Sequence, residues 1–308
     1  MARSPEEGPV RRIGRVAART VQDFESVQAH YDLGDRIIQT FIDPETKMYS
    51  CALWLPGVTT LAEAQTVKVD HTLRKLNLQP GQKLLDVGSG YGYTVQRAVE
   101  QYRVRATGLT LSEKQVEYSR QQAEGQEGLE YLLEGWEQHE GEYDAIVSIG
   151  AFEHFRVANY PAFFERTFGF LPEGGGMLLH SITFDRNKFS ALSRGQKREF
   201  IEYSKFIETK IFPNGQLPRP EQIREESGKA GFVLVHEESL QQLSICNNEP
   251  NYALTLEKWA QNLREARDQA IGSTDQETYD TYMKYLTESA KWFREGIVDV
   301  RQFLLQKK

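Results

Sequence analysis

Three glycines spaced two apart, in the stretch LLDVGSGYG at residues 84–92, stop an apolar run and precede a segment with helical spacing. Gly88, Gly90 and Gly92 let the backbone turn sharply and let a ligand lie against it, although tight strand-to-helix turns also use glycine for purely structural reasons. The Gly-x-Gly-x-x-Gly spacing of the dinucleotide fingerprint is absent. The acid that such a fold places about 20 residues on, to bind ribose hydroxyls, is absent too, because the next apolar run ends in Gly108-Leu109-Thr110. The residues that close the apolar runs are the first candidates for chemistry: Asp86 to Gly92, Thr110, Trp136, Glu153 and His180. Cys51, one of two cysteines in the chain, stands between Tyr49-Ser50 and Trp54. Taken singly, a buried Cys is usually a small hydrophobe, a strand-end His a hydrogen bonder, and a Glu before His154 a helix cap.

These residues need elements to position them. From Val27 to about Leu78 the apolar positions recur at helical spacing, as in DRIIQTFI and LAEAQTVKVDHTLRKLNL, and predict a helical cap over 23–78. From Gly81 the period changes. Short apolar runs at QKLLDV, RVRATGLTL, LEYLLEG, YDAIVSIGAF and GGGMLLHSIT alternate with helix-like segments, which predicts an α/β domain over 79–308 built on a parallel, doubly wound sheet. In such a sheet the ligand lies outside the carboxyl ends of the strands, where the strand order reverses. A helical stretch followed by a Pro-Gly loop at about 184–217 predicts a lid, with Tyr203, Phe206 and Ile207 along an apolar tunnel.

Composition narrows the class further. Two cysteines cannot make a disulfide framework, and the start carries no signal-like segment, so a reduced, cytoplasmic setting is expected. No apolar run approaches the ~18 residues of a membrane span. The formal charge of −7 argues against a nucleic-acid partner. Residues 1–22, with five Arg and two Glu among the first twenty, read as a disordered tail capable at most of peripheral contact with an anionic membrane or an acidic carrier. No metal-ligand spacing is evident.

Read together in order, QAHYDLGD, YSCALW, LLDVGSGYG, GLTLSEKQ, EGWEQ, VSIGAFEHF, LLHSIT, FIETKIFPNGQLP and YMKYLTESAKWFREGIVDVRQF resemble the cyclopropane fatty acid synthase family of S-adenosylmethionine-dependent methyltransferases, in particular its mycolic acid cyclopropane synthase branch. The resemblance runs from about Asp23 to the C-terminus. It implies a class I, Rossmann-like methyltransferase fold, and a cofactor site of Tyr49, Ser50, Asp86, Gly88, Gly90, Gly92, Thr110, Gln115, Trp136 and Glu137. Thr110 and Gln115 would then stand in for the missing acid, and Trp136 would face the adenine. It also implies a bicarbonate ion, held by Cys51, Glu153, His180 and Tyr252 with the backbone of Ile182, as the base that removes a proton after methyl transfer. Tyr31 and Tyr49 are candidates to face the positive charge of the sulfonium or cation, although packing within the helical cap is the simpler reading of Tyr31.

The implied substrate is an unsaturated fatty acyl chain, carrier-linked in this branch, which lacks the longer N-terminal domain of the lipid-acting synthases. C-methylation of a terpenoid or polyketide olefin, and a catalytically silent lipid binder, are the alternatives. Three departures from the family stand out. Leu305 lies in the final strand where many relatives have a cysteine, which excludes covalent catalysis from that position. QLSICNNEPNY replaces a short Pro-His-Tyr link before Tyr252, putting Asn251 in place of the His, and the turn reads Gly-Ser-Gly-Tyr-Gly where relatives often have Gly-Cys-Gly-Trp-Gly.

Overall fold

The structure, a computed structural model, describes residues 34–213, 215–243 and 249–308. The expected tail, Tyr31 and Cys246 lie outside the described residues. Helix α1 (Leu61–Arg74) starts at a capping box in which Thr60 and Glu63 satisfy each other's backbone N–H. Its buried face is Leu61, Ala64, Gln65, Lys68, Val69, Thr72 and Leu73, the helical spacing visible in the sequence, but with three polar side chains turned inward. The chain then alternates through β1 (Lys83–Val87), α2 (Tyr93–Tyr102), β2 (Arg105–Thr110), α3 (Glu113–Gln122), β3 (Leu129–Leu133), β4 (Ala145–Ile149), α4 (Tyr160–Phe170) and β5 (Gly176–Phe184). Every one of these strands arises from an apolar run, as buried parallel strands require.

The last two strands are β6 (Phe232–Ser239) and β7 (Val298–Lys307), and the seven-stranded sheet has the order β3-β2-β1-β4-β5-β7-β6. The five strands β1 to β5 are mutually parallel, as expected for a doubly wound sheet, whereas β7 runs antiparallel to both β5 and β6. The wholly parallel expectation is therefore corrected at that edge. A final strand entering between two others is fixed by long-range pairing, which local periodicity does not report. The strand order reverses between β1 and β4, so the ends of these two strands flank the switch point.

Between β5 and β6 lie α5 (Arg186–Ala191), α6 (Arg194–Phe206), a π-helical turn (Ile207–Ile211) and α7 (Pro220–Ala230). Between β6 and β7 come α8 (Asn251–Glu265), α9 (Arg267–Ser273) and α10 (Gln276–Arg294). Two apolar clusters cover the two faces of the sheet, and a third lies above its carboxyl edge. That third cluster joins Ile37, Phe41, Cys51 and Trp54 to Leu256 and Trp259 of α8, Leu286 and Trp292 of α10, and Phe200 of α6. The N-terminal segment thus shares one core with C-terminal helices. Among the described residues no helix is long and apolar enough to cross a membrane.

Candidate functional site

The glycine turn is built by its neighbours. The N–H groups of Gly88 and Ser89 both donate to Leu109 O, at 3.0 and 2.8 Å, tying the end of β1 to the end of β2. All three glycines have positive φ. A Cβ at Gly88 would fall 2.4 Å from that of Ala151, and one at Gly92 would fall 2.6 Å from the Tyr131 ring, whereas one at Gly90 would meet nothing within 4 Å. The outer two are required by packing. Gly90 fronts open space, as a cradle for a ligand does, and so fits the implied cofactor. Asp86, at 2% exposure, has a buried Oδ1 with no hydrogen bond, and burial, opposed by the charge of Lys68, pushes its carboxyl up to about 7.

Other residues implied for the cofactor lie along the same strand ends. Thr110 Oγ1 donates to Gln115 Oε1 at 2.7 Å. Trp136 is 3% exposed, with its ring centroid 5.6 Å from that of Phe155 and 5.4 Å from that of Phe163, and its indole N–H has no acceptor. Glu137 follows it, partly buried. Tyr49 and Ser50 lie on the wall of the cavity described next, where a Cβ at Gly150 would fall 3.5 Å from that of Ser50. Lys68 was not expected. This fully buried ammonium donates to Ser50 Oγ at 2.8 Å and contacts Met48 Sδ at 3.3 Å, and burial lowers it to about 7. Gln65 Nε2 donates to Ser50 O at 2.8 Å. Gln65, Lys68 and Thr72 interrupt the apolar stripe of α1, which is the signal that could have found them.

A cavity of about 410 Å³ opens between the carboxyl edge of the sheet and the helices above it. Cys51, Glu153, His180 and Tyr252, from four separate segments, all line it, together with Ile182. The rest of its wall is largely aromatic, including Phe184, Phe200, Tyr203, Phe212, Tyr285 and Phe293. Cys51 reaches this wall because its segment is clamped to the first turn of α8. Asn251 Oδ1 accepts from Trp54 N at 2.7 Å, and Thr255 Oγ1 accepts from Ala52 N at 3.2 Å and from Trp54 Nε1 at 3.1 Å. The departure at Asn251 therefore has a structural role. It holds Tyr252 and Cys51 on one surface.

Glu153 sits in the short turn Phe152–His154 after β4, and its main-chain O accepts from Gln216 N at 2.9 Å. Its Oε1 accepts from Ile182 N at 2.5 Å, while the buried Oε2 has no partner. The Ile182 amide, expected to face an anion, is thus occupied by Glu153. Burial raises the Glu153 carboxyl to about 7, against the lowering effect of the Ile182 N–H. Burial drives the thiol of Cys51 and the phenol of Tyr252 upward, so both keep their protons, and Cys51 Sγ lies 3.3 Å from Ala52 O. Burial also holds His180 well below its ordinary value, helped by Lys68, Lys75 and His71. The cavity thus offers neutral donors beside one carboxylate oxygen able to accept a proton, within an apolar wall. His154 also lines it, its ring against Phe212. Among the described residues there is no group of His, Cys, Asp and Glu able to hold a metal ion.

The family pattern for mycolic acid cyclopropane synthetase matches residues 18–303. The chain is 45% identical over 295 residues to cyclopropane mycolic acid synthase MmaA2 of Mycobacterium tuberculosis, covering 92% of this chain and 97% of that one. It is 46% identical over 289 residues to cyclopropane mycolic acid synthase 1 of the same species, with the same coverage. The crystal structure of mycolic acid cyclopropane synthase CmaA1 complexed with SAH and CTAB superposes with a TM-score of 0.86 at 44% identity, over 92% of this chain and 98% of that one. A phosphoethanolamine N-methyltransferase from Haemonchus contortus, 17% identical with a TM-score of 0.70, shares the fold. With the doubly wound sheet, the open glycine turn and this similarity along nearly the whole chain, the protein belongs to the mycolic acid cyclopropane synthase family and is an S-adenosylmethionine-dependent methyltransferase.

Proposed function

We propose that this enzyme adds a one-carbon bridge across the double bond of an unsaturated acyl chain, with bicarbonate bound among Cys51, Glu153, His180 and Tyr252. The observation that carries the reading is the idle Oε2 of Glu153, buried and without a hydrogen bond, on the wall of a largely aromatic cavity. When bound, S-adenosylmethionine supplies an electrophilic methyl group and bicarbonate a base. Tyr49, Ser50, Asp86, Gly88, Gly90, Gly92, Thr110, Gln115, Trp136 and Glu137 are the residues proposed to hold the former. The protein's own groups do the rest. Tyr252 and His180 present donors that orient an anion beside Cys51, whose one S–H is given to Ala52 O, and Glu153 Oε2 takes up a proton from the anion, leaving its other oxygens more basic. The rings of Tyr49, Tyr252 and Tyr285 line the space where positive charge would develop on the acyl chain, and the apolar wall keeps out the water that would quench it.

The same reading takes 23–78 as a cap, 1–22 as a tail, and about 184–217 as the lid of a cytoplasmic enzyme whose substrate is presented on a carrier. Incubation with S-adenosylmethionine and mono-unsaturated acyl substrates, free and carrier-linked, tests it. The expected product, read by mass spectrometry and NMR, gains one CH₂ and shows cyclopropane ring protons. Methylated olefins as the sole products would assign the enzyme to plain C-methylation instead. No transfer to any olefin would overturn the proposal.

A further inference from the structure

A row of three side chains crosses the sheet behind the anion pocket. Gln302 on β7 is the register partner of His180 on β5 and of Glu238 on β6, so all three share one face. The last turn of α1 lies over that face. Lys75, just past the helix, bonds both Gln302 Oε1 and Glu238. Gln302 Nε2 lies 2.8 Å from Thr72 Oγ1 and 3.2 Å from His180 Nδ1. Gln302 is fully buried and His180 is 2% exposed.

The direction of every hydrogen bond in this chain is forced. An ammonium can only donate, so the Gln302 atom facing Lys75 is the carbonyl oxygen. The Thr72 hydroxyl already donates to Lys68 O at 2.7 Å, so toward Gln302 it accepts. Both ends fix the same orientation of the amide, and its NH₂ faces His180. A group that can only donate requires a lone pair on Nδ1. In a neutral imidazole the proton must then be on Nε2. Protonating the ring would set two donors against each other in a pocket that already holds Lys68, Lys75 and His71 nearby, with Glu238 compensated by Lys75 and His71.

We infer that Gln302 is a positioning residue: held by Lys75 and Thr72, it fixes His180 as the neutral Nε2–H tautomer, a permanent donor in the anion pocket and never its base. The tautomer stands on the hydrogen-bond chain alone, while its use on bicarbonate rests on the function proposed above. No sequence signal marks Gln302 beyond a carboxamide among the otherwise apolar buried positions of its strand.

The test is two-dimensional ¹⁵N NMR of the full chain labelled at histidine, with His180 assigned by its loss in His180→Gln. The wild type should show His180 protonated at Nε2 and unchanged from about pH 5.5 to about pH 8.5, where an ordinary histidine titrates. Gln302→Glu offers Nδ1 an acceptor, and the ring should switch to Nδ1–H or become charged. Gln302→Leu, which fills the buried position with a side chain of similar size, should leave a mixture of tautomers. A wild-type His180 that is Nδ1–H, or that titrates within that range, would overturn the inference, as would a Gln302→Glu protein whose His180 signals match the wild type. Titrating in sodium bicarbonate separates the two readings. A shift of the Nε2–H signal supports both, and a correct tautomer that ignores bicarbonate defeats the anion site while leaving Gln302 in its role.

Discussion

Glu153 has one oxygen anchored by Ile182 N and one idle, and only the idle one can exchange protons with a bound partner. Glu153→Gln can keep the anchor through its carbonyl but puts a donor where an acceptor stood. Methyl transfer precedes proton removal, so ring closure should fall more than methyl transfer. Methylated alkenes and alcohols should accumulate, and bicarbonate should rescue the wild type more than the variant. Product ratios by mass spectrometry check this, and an unchanged cyclopropane yield would remove Glu153 from the step. The pH dependence follows from burial, which raises this carboxyl to about 7. Ring closure needs the ionised form and should decline as pH drops below about 7. For stability the sign is opposite. A carboxyl raised on folding contributes stability that is fully present below its unfolded value and is lost as pH rises through about 7. At pH 8 Glu153→Gln should therefore be more stable than the wild type by about 3 kcal/mol, and at pH 4 roughly equal, as read by urea unfolding. Glu153 was legible because it follows a strand end. The capture of Ile182 N by its carboxylate was not, since that pairing joins residues 29 apart in the chain.

At the scale of elements, the glycine turn and the first turn of α8 do similar work, each fixing a short segment against the sheet edge. The turn could be read from its glycines alone, but their separate duties could not. Ala151 and Tyr131, which make Gly88 and Gly92 necessary, come from the β4 loop and from β3. Gly88→Ala should accordingly lose fold stability, while Gly90→Val, which places a branched side chain in open space, should abolish S-adenosylmethionine binding with limited loss of fold. Its positive φ adds a strain of about 1–2 kcal/mol. Calorimetric titration and thermal melts separate the two, and unchanged cofactor affinity in Gly90→Val would take the turn out of the site. Asn251 illustrates what a sequence hides. In the sequence it is a departure from the family, a His replaced within a polar insertion, yet Oδ1 serves Trp54 N and Nδ2 serves Leu240 O, at 2.7 and 2.5 Å. Asn251→Ala leaves both buried backbone groups without partners and should cost about 2–4 kcal/mol. Cys51 would drift from Tyr252, so olefin turnover should fall further than cofactor affinity. Equal losses in both would mean that the clamp supports only the fold.

Across the whole molecule, the apolar runs specify five parallel strands and a ligand at the switch point, and the long-range topology adds what local patterns do not carry: β7 enters antiparallel beside β5 and brings Gln302 to His180. The same closure seats α8 and α10 over the N-terminal segment, so the cavity is walled by residues from both ends of the chain. On the function proposed above, a long acyl chain would enter between α6 and that body. Phe200 packs its ring against Trp292, centroids 5.0 Å apart, and the polar ties there are Tyr203 Oη with Ser289 Oγ at 2.6 Å, Lys284 4.5 Å from the centre of the Phe206 ring, Glu199 with Lys291, and Lys210 with Glu277 at 3.4 Å. The last two join exposed side chains, are screened by solvent and add little. The Tyr203–Ser289 hydrogen bond is the internal polar tie, and Ser289 is 2% exposed. Tyr203→Phe removes a bond with a net worth of about 1 kcal/mol while keeping the ring that packs against Phe200 and Trp292. If α6 opens as a unit to admit substrate, its amides over 194–206 should exchange hydrogen about three- to tenfold faster in the variant, with those of β4 and β5 unchanged. The KM for a long-chain olefin should shift more than the affinity for S-adenosylmethionine. Exchange accelerated equally throughout the sheet would show that the bond belongs to the global core and that α6 does not open on its own.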